Sequence, residues 1–208
     1  MRSKLILGAA ALLLIVSARP AAADPIGPDC ETCQGSIYEL LVSPTPLFQD
    51  ENITLYEIVL HIDTTGYTGG GSNIANVAFK VSPNLANVTL LEAPGDWSAA
   101  LGGINANGCD GNTNSGFGCA TSNDDSAALP FAGVYSWRFA AAVPNGTLFA
   151  VNDPFAASIK ARYVDAEGQK VGDLVSEGIT LQLVPEPGTA LLLVFGLAGL
   201  ARAGSSRR

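Results

Sequence analysis

A period of two constrains this chain more than any other feature. From Asn52 to Asp63, Tyr56, Ile58, Leu60 and Ile62 alternate with Leu55, Glu57, Val59 and His61, so one side of the segment is apolar throughout. The same alternation places Tyr38, Leu40 and Val42 on one face, then Val77, Phe79 and Val81, then Tyr135, Trp137, Phe139 and Ala141. It returns in Ala157, Ile159, Ala161 and Tyr163, and finally in Ile179, Leu181 and Leu183, expected to line one last strand. Asn87–Glu92 and Lys170–Val175 read as further short strands. Turn signals separate the segments: Pro44 with Pro46, Gly66–Ser72, Pro83-Asn84, Pro94-Gly95-Asp96, Pro144-Asn145-Gly146, and Asp165–Gly168 with its glycine late. About seven to nine short strands with almost no 3.6-residue pattern between them define an all-β protein, an antiparallel β-sandwich with one buried face per sheet. Immunoglobulin-like and cohesin-like sandwiches both accommodate the pattern. Parallel α/β folds lack their helices here. Gly102–Ser126 is the least regular stretch.

The two ends read differently from the middle. Arg2 and Lys4 precede an apolar run from Leu5 to Val16, and Ala21-Ala22-Ala23 supplies small residues before Asp24. This is the order of a secretory signal peptide over residues 1–23, with a signal peptidase as its partner. The sandwich is expected over residues 24–184. Within it stand five basic residues (Lys80, Arg138, Lys160, Arg162 and Lys170) against 18 acidic ones, a net charge of −13. Such a surface repels a phosphate backbone, so nucleic acid is excluded as a partner, while cations and neutral polymers are admitted.

Residues 185–208 have three parts in fixed order: Pro185-Glu186-Pro187, an uncharged apolar run from Gly188 to Ala201, and Arg202, Arg207 and Arg208. The prolines lack N–H donors and hold Val184 and Glu186 extended. As a helix, residues 188–201 would reach only about 21 Å against a hydrocarbon core of about 30 Å. Snorkelling arginines supply the missing length and place the C-terminus on the cytoplasmic side. The tripartite tail resembles the PEP-CTERM sorting signal of exopolysaccharide-producing Gram-negative bacteria. The resemblance covers about 25 residues. It implies recognition by a membrane-embedded exosortase and processing near Pro185–Pro187. It also implies transient anchoring in the inner membrane, delivery to the cell surface or extracellular matrix, and exopolysaccharide as a possible partner. It says nothing about the chemistry of the domain it carries.

The remaining motifs admit plain alternatives. Cys30-x-x-Cys33 sits in a proline-containing lead-in ahead of any strand, not at a helix start after a strand, which argues against a redox pair. Nine residues between Cys109 and Cys119 is wide for a zinc knuckle. In an oxidising compartment two local disulfides are expected, Cys30–Cys33 and Cys109–Cys119. Asp110, Asn112 and Asn114 place oxygens at alternate positions, like the opening of a calcium loop. The glycine comes one residue late, at Gly116, and Thr121 stands where a bidentate Glu belongs, so Asp124 or Asp125 would have to replace it. The alternative is a polar, disulfide-closed surface loop. His61, the only histidine, is expected on an outer face with Glu57 and Asp63. That is half of a hydrolase site, and no Gly-x-Ser-x-Gly elbow supplies the nucleophile. Trp97 follows a turn and is the candidate sugar-stacking platform. The expected role is therefore an exported surface or matrix protein without catalytic activity, with calcium or polysaccharide binding as the alternative and hydrolysis behind both.

Overall fold

A computed structural model describes residues 25–113, 116–123, 129–130, 132–154, 156–171 and 174–184. The expected signal peptide, the Pro185-Glu186-Pro187 motif, the 188–201 helix and Arg202, Arg207 and Arg208 lie outside the described residues. Among the described residues there is no α-helix, and none long and apolar enough to cross a membrane. Residues 23–183 form one compact unit.

The strands are β1 (Ile37–Val42), β2 (Phe48–Gln49), β3 (Ile53–Asp63), β4 (Asn73–Lys80), β5 (Asn87–Glu92), β6 (Trp97–Leu101) and β7 (Ile104–Asn105). They continue as β8 (Gly108–Cys109), β9 (Phe117–Ser122), β10 (Leu129–Pro130), β11 (Val134–Pro144), β12 (Ala157–Val164), β13 (Val175–Ile179) and β14 (Leu181–Leu183). One sheet runs β14-β1-β3-β11-β5, with β2 on β3; the other runs β13-β12-β4-β9-β6, with β10 on β4. All pairings in the two sheets are antiparallel except β1 with β14, which is parallel through Leu40–Leu181 and Val42–Leu183.

The two sheets bury their apolar faces against each other, a sandwich-like arrangement. Tyr38, Leu40, Ile58, Leu60, Ile62, Trp137 and Phe139 from one sheet share a core with Val77, Phe79, Ile159, Ala161 and Tyr163 from the other. Phe79 meets Phe139 at 4.9 Å between ring centroids, and Trp97 meets Trp137 edge-on at 5.1 Å. Each fully buried aromatic or branched side chain contributes about 1.5–3 kcal/mol. At the bottom of the core the Tyr38 hydroxyl bonds to the Tyr163 hydroxyl, which also donates to Ser36 Oγ at 3.2 Å.

Three expectations require correction. The single last strand is two: Ile179 closes β13 in one sheet, and Leu181 opens β14 in the other. Both side chains are buried. Facing sheets share one interior, so apolar residues two apart remain inward when the chain crosses at Thr180. Second, the stretch called least regular holds β9, an interior strand between β4 and β6. Third, Trp97 is no exposed platform. It is the first residue of β6, points inward and is 9% exposed beneath Trp137.

A small hairpin, β7–β8, lies over the outer face of the second sheet. Ile104 packs on Ala78 and Cys119 there, giving a satellite apolar cluster. This explains why Asn76 and Arg162 are buried although the register turns both away from the main core. Arg162 Nη1 donates to Asn76 Oδ1 at 2.9 Å, and Asn76 Nδ2 donates to Thr121 Oγ1 at 2.5 Å. Gly108 has φ +115°, and a Cβ there would sit 3.1 Å from Asn76 Nδ2, so glycine is what lets the hairpin approach.

Candidate functional site

The cysteines pair as Cys30–Cys33 and Cys109–Cys119. The first closes a turn in which the Cys33 carbonyl accepts from the Ser36 N–H at 2.9 Å. The second ties β8 to β9 and holds the hairpin on the sheet. All four sulfurs are thereby committed, and no free cysteine remains.

In the loop proposed for calcium, Asp110 Oδ1 accepts the Asn112 N–H at 2.9 Å, the bond of an Asx turn. Its Oδ1 also lies 2.6 Å from where a Cβ on Gly102 would fall. The carboxylate is folded back on its own loop. Asn114, Asp124 and Asp125 lie outside the described residues. Among the described residues no group of three or more His, Cys, Asp or Glu side chains is arranged to hold a metal ion.

The richest polar constellation is centred on His61. Residues of β1, β3 and β11 stand in register, so Glu39 opposes His61 and His61 opposes Ser136. His61 Nδ1 and Ser136 Oγ are 2.6 Å apart. His61, Glu39 and Asp63 with the apolar Ile37 and Val134 border a shallow cleft of about 370 Å³. Glu57, expected beside His61, belongs to a different interaction: it accepts from Arg138 Nε at 2.6 Å, while Arg138 Nη1 reaches Glu92 at 2.7 Å. Asp63 Oδ1 accepts from the Thr65 hydroxyl at 2.6 Å and from the Thr65 N–H at 2.8 Å. These bonds hold its carboxyl below the ordinary carboxylate range.

Ser136 is thus a hydroxyl partner that the linear sequence concealed. It lies 75 residues from His61 and becomes its neighbour only through the β3–β11 register. The pair resembles a nucleophile and base at first sight. β3 is paired on both sides through this row, with β1 and with β11, whereas the β11–β5 ladder begins only at Arg138. The arrangement forms a polar row, Glu39–His61–Ser136, on the outside of a sheet.

A cationic patch stands on the outer face of the other sheet. The Lys80 and Lys160 ammoniums lie 5.7 and 4.8 Å from the centroid of the Phe117 ring. Neither is paired with a carboxylate among the described residues. In a body of net charge −13, two unpaired cations on one ring are an exception to the surrounding field.

No family model matches the chain, and no curated protein matches it.

Proposed function

We propose that this is an exported cell-surface or matrix protein, sorted and processed through its C-terminal tail, whose β-body carries no catalytic activity of its own. Signal peptidase removes the leader and an exosortase reads the tail. The observation that carries the reading is the tripartite order of residues 185–208, beginning two residues after the last strand of the body ends at Leu183. The two closed disulfides fit an oxidising compartment. The hydrolase alternative stands behind this reading, because Ser136 lies within a strand and not on a Gly-x-Ser-x-Gly elbow.

The finer fold reading is cohesin-like. A constant-type immunoglobulin sandwich keeps its first and last strands in different sheets. Here β1 and β14 pair with each other, which favours the alternative.

The test is replacement of Pro185, Glu186 and Pro187 by alanine in the producing cell, followed by fractionation. The unprocessed chain should accumulate in the inner membrane. Unchanged processing and surface delivery would refute the sorting reading.

A second reading, that the mature body takes polysaccharide carboxylates at one local cationic patch against the repulsion of its remaining surface, is favoured by Lys80 and Lys160 on Phe117. It is preferred to calcium binding, because among the described residues no three acidic or His side chains gather around Asp110. Co-sedimentation with alginate should fall severalfold in the double variant Lys80→Gln, Lys160→Gln. Equal retention of both proteins would remove it. Calorimetric heat on adding millimolar calcium would restore the calcium reading in its place.

A further inference from the structure

Four of the six large apolar side chains left in solvent gather in one place, while Leu91 on β5 and Val134 stand apart from them. Leu47 is 49% exposed, Phe48 53%, Leu148 85% and Leu183 44%. The register puts these four at one end of the first sheet. Val42 opposes Ile58 on one side and Leu183 on the other. Phe48 opposes Leu55, and Pro144 opposes Ile53 in the same rows. Leu148 follows four residues after Pro144. Together with Val42, Tyr56 and Phe149, Leu148 and Leu183 border an open apolar groove of about 240 Å³. Phe149 braces its floor, edge-on to Tyr56 at 5.2 Å. Val134, also exposed, lies at the opposite end, where it opposes Asp63.

This is also the end from which the chain leaves the body. Only four residues, 184–187, separate Leu183 from Gly188, the start of the apolar tail. The five Cα-to-Cα steps, fully extended, span at most about 17 Å. A tail held in a membrane would therefore keep this end, and not the Val134 end, within reach of the lipid headgroups. Exposed apolar residues gathered at one place mark an interaction surface. Asp50 and Glu51 stand exposed at the same end. Their charge disfavours an anionic surface and suits headgroups that carry an ammonium.

We propose that the Leu47–Phe48–Leu148–Leu183 end of the body rests on a zwitterionic bilayer surface while the tail is in the membrane. The proposal rests on the reading of residues 185–208 as a membrane-held tail.

The test uses the full chain in phosphatidylcholine nanodiscs, with methyl-labelled leucine and valine and a headgroup nitroxide lipid. Leu47, Leu148 and Leu183 methyl signals should lose at least half their intensity, whereas Val134 keeps its own. The double variant Leu148→Asp, Leu183→Asp should stay in the disc and return the Leu47 signal to the Val134 level. Three results would overturn the proposal. Equal intensities at Leu148 and Val134 in a disc-bound chain would show the body free of the surface, with the tail reading intact. Two chains per disc with Leu148 unbroadened would seat a second copy in the groove instead. A chain that elutes apart from the discs would remove the tail reading and the proposal with it.

Discussion

The buried tyrosine pair makes stability depend on pH in the alkaline range. Burial pushes the Tyr163 phenol up to about 12, against the opposing pull of its bonds to Ser36 and Tyr38. Burial pushes Tyr38 well above 10, and the neighbouring Tyr163 adds to it. In the unfolded chain both titrate near 10. A phenol whose folded pKa is raised stabilises the fold fully below its unfolded pKa, and that contribution is lost as pH climbs toward the folded value. The window is therefore about pH 10 to 12, with stability falling as pH rises. At pH 11 the raised Tyr163 alone removes about 1.4 kcal/mol relative to pH 8, and Tyr38 adds a loss of the same sign. That is a measurable part of the roughly 5–15 kcal/mol typical of a domain. Partial burial also pushes Tyr67 and Tyr135 upward, which adds loss of the same sign. The assay is guanidinium unfolding at pH 8, 9, 10 and 11, alongside phenolate absorbance of the folded protein. The double variant Tyr38→Phe, Tyr163→Phe should lose most of the slope. A flat stability profile, or folded-state phenolates from all tyrosines appearing near pH 10, would refute the reasoning.

Replacing Cys109 and Cys119 by alanine opens a loop of sequence separation 10 and should cost about 3 kcal/mol by loop-closure entropy, against about 2 for the Cys30–Cys33 pair. For a body of this size the first loss corresponds to a fall in Tm of about 6–12 °C; scanning calorimetry that ranks the two pairs in reverse would contradict the pinned-hairpin account. Trp97→Ala should cost about 3–5 kcal/mol, because the indole fills the core beneath Trp137; a loss within about 0.5 kcal/mol in denaturant unfolding would return Trp97 to the surface. Ser136→Ala should leave folding within about 1 kcal/mol of the parent while removing the hydrogen bond to His61 Nδ1, visible as a changed imidazole ring signal in NMR. An unchanged ring signal would mean the two side chains do not meet.

What the sequence disclosed follows from where burial is one-sided. β3 and β11 alternate where one face meets the core and the other carries His61, Glu57, Ser136 and Arg138, although Val59, Ala140 and Ala142 on the outer face are buried as well. The inward sets Ile58, Leu60, Ile62 and Trp137, Phe139, Ala141 are therefore readable from period alone. β9 was not readable, because the hairpin covers its outer face, and Gly118, Cys119 and Ala120 are buried in succession. Two-sided burial erases alternation. Trp97 misled for a related reason: its preceding turn signalled exposure, but its environment is set by β9 beside it and Trp137 across the core. The Glu39–His61–Ser136 row was beyond reach, since register between distant strands is a tertiary property. The disulfide pairing was accessible because each bridge closes a short local loop.

The end of the body also shows why a tail of this composition is compatible with this fold. β14 is a three-residue edge strand joined to β1 through Leu181, Gln182 and Leu183, with Leu181 buried in the core. A parallel ladder could in principle continue past Leu183, drawing tail residues into the sheet. It is stopped from both partners. Beyond Val42, the Ser43 N–H is already given to Glu57 O at 2.9 Å, and Pro44 has no donor. Beyond Val184, Pro185 and Pro187 have none either. On the proposed reading this matters for processing, because a protease needs an extended segment that the sheet has not claimed. A cut among residues 185–187 would leave every β1–β14 pairing in place. The same cut would strip the apolar run and Arg202, Arg207 and Arg208 from the body, whose residues 24–184 carry a net charge of −13.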